Sequence, residues 1–320
     1  MNNIFKLTPA FKDYLWGGVK LIEDFNKVCD LSIVAESWEL STHPDGTSVI
    51  ATGKYKGIKL SDYIQNKEVL GTNCLKFDRF PMLVKFIDAK QALSIQVHPD
   101  NEYALKNEQE FGKTEVWYVL DAQEGAKLVY GVNREISKEE LRNKINDGTV
   151  MDCLREVPVK KGDVFFIPSG TIHAIGAGIV VCEIQQNSNS TYRVYDFKRK
   201  GVDGKERPLH IDKALDVSKL TPSDGNFKPI GESCNYGTYQ KVLMAKSENF
   251  VTDIYDVFTK CDILVDNSSF KTFTCTSGNG TVKTNDEVLN VKKGDTFFVD
   301  ANFGNVEVCG ELQLLVSYVE

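Results

Sequence analysis

VKKGDVFFIPSG at residues 159–170 and VKKGDTFFVDAN at residues 291–302 are two versions of one pattern, and the repetition decides the architecture. In each copy a Lys-Lys-Gly-Asp turn feeds a strand of apolar residues, with glycine supplying the tight bend. Two copies of one supersecondary unit point to two related β-barrels in tandem. The copies part company just downstream. His173 comes after the first, and the corresponding position after the second is Asn305. The second barrel is therefore expected to lack whatever His173 does and to play a structural role.

Outward from the repeat, the chain reads as short strands separated by Gly, Asn and Asp turns: 36–40, 83–87, 93–98, 115–120, 127–130, 163–167, 179–185 and 191–197. Such spacing belongs to a sandwich or barrel. Helical patterns are few. Ser137-Lys138-Glu139-Glu140 followed by LRNKINDG predicts a capping box and a short amphipathic helix ending at Gly148. A second helix is expected from Pro208 through LHIDKALDVSKL, because proline is tolerated in a first turn. Helices of this kind fit excursions from a barrel better than a parallel sheet. The fold class is thus mainly β, with tandem barrels and a few helical insertions. The polar stretch 218–237 has linker composition. It separates a first domain over 1–225, with N-terminal strands and the helical insertions, from a degenerate, metal-free barrel over 237–320.

Hydrophobic residues make up 42% of the 320 and charged residues 26%, enough apolar material for a real core. The formal charge of −7 argues against a nucleic-acid binder, which needs a basic face. It leaves room for a small phosphorylated ligand, which a few local cations can hold. Neither a long apolar run nor a charged segment leading into an apolar one at the start predicts a membrane span or signal peptide. The eight cysteines are scattered without a CxxC pair. They read as reduced thiols of a cytoplasmic protein, not a disulfide framework.

Only four histidines occur: His43, His98, His173 and His210. In LSIQVH, Gln96 and His98 are two apart and project to one face of a strand. Glu115 opens the strand EVWYVL, and His173 lies just past the strand and turn of VFFIPSGTIH. Neighbouring strands of a small barrel can bring Gln96, His98, Glu115 and His173 around one point. Two imidazoles, a carboxylate and an amide oxygen suit catalytic zinc with a position open to substrate. Iron and manganese remain chemically open for the same donors.

The runs ALSIQVHPD (92–100), GKTEVWYVL (112–120), IPSGTIHAI (167–175) and EIQQNSNSTYRVYD (183–196) resemble type I mannose-6-phosphate isomerases of the short bacterial form, within the cupin superfamily. LWGG (15–18) and ESWELSTHPDG (36–46) add to the resemblance, which covers essentially the whole chain. It implies cupin-type barrels, one zinc ion per chain, and interconversion of mannose 6-phosphate and fructose 6-phosphate through a cis-enediol(ate). It implies Gln96, His98, Glu115 and His173 as metal ligands, Gln96 being the one the short form can dispense with, and Arg193 as the catalytic arginine. The partner implied is a small phosphorylated sugar, with no membrane, nucleic acid or obligatory protein partner.

For the substrate, Lys113 shares the face of Glu115 and Ser94 that of Gln96, so each is placed to meet the phosphate or a hydroxyl. Trp16 and Trp38 suit either a sugar pocket or the core. The Lys160-Lys161 and Lys292-Lys293 pairs belong to the repeated turns. One departure from the family stands out: Asn189 occupies the place, four residues before Arg193, where an aspartate is usual. Asparagine cannot serve as an acid–base group. The base for the C1/C2 proton transfer is left open between His98, a nearby carboxylate and a water at the metal. Two other functions compete, an iron(II) cupin oxygenase and a non-catalytic sugar-binding cupin; metal analysis separates the first, and Asn189 favours the second.

Overall fold

The computed structural model describes residues 3–201, 204–223, 225–283 and 288–320. Strands dominate, and the longest α-helix among the described residues is Lys138–Asp147. No helix among them is long and apolar enough to cross a membrane. The chain divides into two compact units. One joins Asp13–Gly18 to Ile87–Phe227; the other joins Met1–Lys12, Val19–Phe86 and Lys228–Glu320.

The repeat is reproduced in three dimensions down to single hydrogen bonds. In the first copy Lys160 N–H donates to Asp163 Oδ2 over 2.9 Å, and in the second Lys292 N–H donates to Asp295 Oδ2 over 3.1 Å. Gly162 and Gly294 turn the chain with φ of 92° and 94°. Gly162 N–H bonds Val119 O, and Gly294 N–H bonds Cys275 O. The strands beyond these turns, Val164–Ile167 and Thr296–Val299, pair antiparallel with Glu115–Ala122 and Lys271–Lys283 respectively. The lysine pairs therefore belong to turns.

The same two glycines give a test. Alanine is strained at positive φ by roughly 1 kcal/mol at either site. A Cβ on Gly162 would meet nothing within 4 Å, whereas one on Gly294 would lie 2.0 Å from Phe25 O. Gly294→Ala is expected to cost about 1–3 kcal/mol more than Gly162→Ala, read from their urea midpoints. Equal losses would mean that the Phe25 backbone gives way freely.

In the unit holding residues 87–227, two antiparallel groups of strands form the walls. One carries Val164–Ile167, Glu115–Ala122 and Ile179–Gln186 side by side. The other runs Tyr192–Tyr195, Ile95–Val97, His173–Ala174, Lys127–Val132, Leu154–Pro158. Alternation sorts the second wall: Ile95 and Val97 face an apolar cluster that also takes Leu141 and Ile145 from helix Lys138–Asp147 and Ala214 and Leu215 from helix Ile211–Val217. Gln96, between them, must face the opposite way. Ser137 caps the first helix by accepting from Glu140 N–H, and Gly148 ends it in the left-handed conformation, as the capping box predicts. The second helix begins at Ile211, three residues later than expected from Pro208. His210 is already committed, its N–H to Arg193 O and its Nδ1 to Arg193 N–H.

The other unit contains a ten-stranded antiparallel sheet whose interior is apolar, with Phe273, Cys275, Val291, Phe297 and Val316 fully buried. Strand Ile4–Thr8 pairs with Thr296–Val299, placing Ile4 opposite Val299. The N-terminal strands thus group with the C-terminal barrel, unlike the expected split into 1–225 and 237–320. Main-chain pairing across nearly the whole chain length is invisible to local pattern. One change of unit, between Phe227 and Lys228, falls inside the linker stretch 218–237.

Candidate active site

Register assembles the site. Across one wall of the unit, Arg193 lies opposite Gln96, Gln96 opposite His173, and His173 opposite Tyr130. Cross-strand partners share a face, so Arg193, Gln96 and His173 form a row. On the other wall Glu115 lies between Ile167 and Gln185, and Trp117 between Phe165 and Glu183. Glu115, Trp117, Glu183 and Gln185 therefore share a second face. His98 lies one residue beyond its strand, and His98, Glu115 and His173 are each 1% exposed or less.

Hydrogen bonds place a proton on one nitrogen of each imidazole. His98 Nδ1 lies 2.8 Å from Ser190 O, and His173 Nδ1 lies 2.8 Å from Thr171 O. A carbonyl only accepts, so each Nδ1 carries a proton, and the Lys113 ammonium, which only donates, faces a lone pair on His98 Nε2. Burial pushes the His173 imidazole down to about 4, which keeps it neutral at neutral pH. The two Nε2 atoms face the carboxylate: His173 Nε2 is 3.2 Å from Glu115 Oε1, and His98 Nε2 is 3.7 Å from Glu115 Oε2. His173 Nε2 makes no hydrogen bond.

Buried acceptors that face one another this way need a positive group among them, which the Lys113 ammonium supplies to Glu115 Oε2 and His98 Nε2 and which a metal ion would supply to all three side chains. The donor atoms of the three residues all lie within 4.8 Å of one another, the single such group of His, Cys, Asp or Glu side chains among the described residues. Two neutral imidazoles and a carboxylate are a fitting set for a borderline divalent metal such as zinc. The carbonyls of Thr171 and Ser190 supply the outer bonds that orient such ligands.

Lys113 reaches into the same cluster. Its Nζ is 2.7 Å from Glu115 Oε2, 3.2 Å from His98 Nε2 and 3.5 Å from Glu183 Oε1. Glu183 in turn accepts from Trp117 Nε1 over 2.8 Å, and the Trp117 ring packs edge-on against His173 with centroids 5.3 Å apart. Removing one partner from buried ion pairs leaves charge uncompensated, so Lys113→Met is expected to lower the unfolding free energy by about 3–5 kcal/mol. Urea titration checks this, and a loss under about 1 kcal/mol would assign the pairs no more than surface strength.

The structure thus brings His98, Glu115, His173 and Lys113 into contact and sets Gln96 beside His173 in register, with Arg193 one strand further on, beside Gln96. Arg193 donates from Nη1 to Pro208 O over 2.9 Å, while its buried Nε–H makes no hydrogen bond. Burial, with Arg207 and Arg199 nearby, holds its pKa below the usual value. Ser94 and Trp16 are buried but are not members of this bonded group; Trp16 packs against Tyr14 with ring centroids 5.6 Å apart. Trp38 belongs to the other unit, where its indole N–H donates to Glu36. Asn189 is exposed, in the loop before strand Tyr192–Tyr195.

Three residues of the site are not singled out by the sequence reading: Trp117, Glu183 and Gln185. A signal exists for two. In IVVCEIQQ an acid and an amide two apart break an otherwise apolar strand, and such a break on one face marks buried polar business. Gln185 is fully buried, with Nε2 donating to Gln186 O and Ser188 O and Oε1 left without a partner.

The second barrel shows what the same frame looks like without these residues. By the shared register, Lys271 stands where Glu115 stands, Phe273 for Trp117 and Val316 for Glu183, and the sequence repeat puts Asn305 at the place of His173.

Known proteins of one family resemble the chain along nearly its whole length. Residues 4–129 match the model of the phosphomannose isomerase type I catalytic domain, and residues 240–319 match that of the mannose-6-phosphate isomerase cupin domain. The mannose-6-phosphate isomerase of Streptococcus mutans is 38% identical over 95% of this chain and 94% of its own. Mannose-6-phosphate isomerase ManA of Bacillus subtilis is 37% identical over 97% of each. A crystal structure of mannose 6-phosphate isomerase from Bacillus subtilis superposes with a TM-score of 0.92 at 36% identity, covering 99% of both chains.

Proposed function

Because the chain belongs to the type I mannose-6-phosphate isomerases, we propose that it interconverts D-mannose 6-phosphate and D-fructose 6-phosphate through a cis-enediol(ate), with one zinc ion held by His98, Glu115 and His173. The observation that carries this is the convergence of His98, Glu115 and His173, whose donor atoms lie within 4.8 Å of one another, a set that suits a divalent metal. Gln96, opposite His173 in register, is the proposed fourth ligand.

The reaction moves a proton between C1 and C2 of the sugar, and its costly feature is negative charge growing on the sugar oxygens. Zinc supplies Lewis acidity against that charge. The chain's own residues do the rest. Thr171 O and Ser190 O hold the two imidazoles in the ligating tautomer. Arg193, permanently charged and anchored through Nη1 to Pro208 O, directs its free Nε–H donor to the substrate. Its charge needs no reorganisation as the oxyanion forms. Lys113 adds a second fixed positive charge, positioned by Glu115 and Glu183. Ser94 and Lys113 are the proposed contacts to phosphate or a hydroxyl, and Trp16 a wall of the sugar pocket. A small phosphorylated substrate in the cytoplasm, with no obligatory protein partner, completes the reading.

The test is a coupled assay of fructose 6-phosphate formed from mannose 6-phosphate, before and after chelator treatment and zinc addition. Activity lost on stripping and restored by zinc is expected. A zinc-replete sample without activity would move the function to another sugar or to binding alone.

A further inference from the structure

Arg193 is gripped at three points by one short stretch of chain. Strand Tyr192–Tyr195 is the outermost of its wall, so the outward N–H and C=O groups of Arg193 have no further strand to pair with. Residues 208–210 take that place. His210 N–H donates to Arg193 O over 2.8 Å, Arg193 N–H donates to His210 Nδ1 over 3.0 Å, and Arg193 Nη1 donates to Pro208 O over 2.9 Å. Two of these bonds use main-chain atoms of residues 208–210, which most side chains would leave in place. The third needs an acceptor on the side chain of residue 210. An accepting Nδ1 puts the ring proton on Nε2, the reverse of the arrangement at His98 and His173.

The histidine is itself held. Its carbonyl accepts from Ala214 N–H over 2.9 Å in the first turn of helix Ile211–Val217, whose Ala214 and Leu215 are buried. Its ring lies near that of Tyr192, with centroids 6.3 Å apart. Glu108 ties the same pieces together, accepting from Tyr192 OH over 2.8 Å and from Lys213 Nζ over 2.6 Å. Burial, with Arg193 and Lys213 nearby, holds the His210 pKa below its usual value, so Nδ1 stays an acceptor at neutral pH. We propose that His210 is a positioning residue of the isomerase: it clamps the main chain at Arg193, so that the guanidinium is fixed before the sugar binds. This rests on the isomerase reading and on the role given there to Arg193. A fixed charge is effective because it need not move as the transition state forms. A misplacement of about 1 Å can cost about a hundredfold in rate.

Steady-state kinetics of the zinc-loaded full chain, with two substitutions at this position, test the role. His210→Leu keeps apolar bulk and removes the acceptor, whereas His210→Asn gives up bulk and offers Oδ1 as acceptor. His210→Leu is expected to lower kcat about tenfold with KM and zinc content unchanged, and His210→Asn to stay within about threefold of the wild type. In an Arg193→Ala background, His210→Leu is expected to lower kcat no further, since no guanidinium remains to be placed. Undiminished kcat in His210→Leu, equal losses in the two variants, or a tenfold loss repeated on top of Arg193→Ala would overturn the assignment and leave His210 to the fold alone. Failure of the isomerase reading is a separate result, read from the wild type by itself. No turnover of mannose 6-phosphate there would remove the reaction and this role with it.

Discussion

His173→Ala is expected to lose the bound metal and to lower turnover by at least about a thousandfold. The imidazole supplies one of three converging donors, and its loss leaves Glu115 Oε1 without the nitrogen 3.2 Å away. The ring is fully buried, so the substitution also opens a cavity beside Trp117 and carries a stability cost. Glu115→Gln separates the two effects, because it keeps volume while removing the charge. Metal content by mass spectrometry, measured beside turnover for both variants, decides the matter. Stoichiometric zinc in both would show that the ion is held elsewhere.

Arg193→Ala is expected to behave in the opposite way, retaining the metal while turnover falls by about 10²–10³. Arg193 lies on the strand next to Gln96 but ligates nothing, and only its Nη1 is engaged, at Pro208 O. The proposed mechanism assigns this fixed charge, and the Nε–H that makes no hydrogen bond, to the reacting sugar. An effect concentrated in kcat, with KM little changed, would mark stabilisation formed in the transition state. Arg193→Lys should recover only part of it, because an ammonium lacks the planar fork of donors. Near-normal turnover in Arg193→Ala would remove the arginine from the mechanism.

Much of this site is legible without any knowledge of the fold. The repeated Lys-Lys-Gly-Asp turn, the Ser137–Gly148 helix and the alternation that sets Gln96 apart from Ile95 and Val97 depend on contacts a few residues long. Residue chemistry is equally plain, since His98 and His173 are two of only four histidines and Glu115 opens an otherwise apolar strand. Glu183 shows the limit. Its place in the site comes from pairing opposite Trp117, 66 positions away in the chain, and from its contact with Lys113. The start of the second helix is hidden for a similar reason, because His210 answers to Arg193 and not to Pro208.

Local pattern, then, determined strand alternation, turn chemistry, caps and the identity of the donor residues, because each is a short-range consequence of backbone geometry. The tertiary structure alone decided which donors meet, which nitrogen of each imidazole bonds a backbone carbonyl, and where the N-terminal strands belong. Those outcomes depend on pairings such as Ile4 with Val299 and on carbonyls such as Thr171 O. No local preference encodes them, since a hydrogen bond between distant segments is chosen by the whole folded chain.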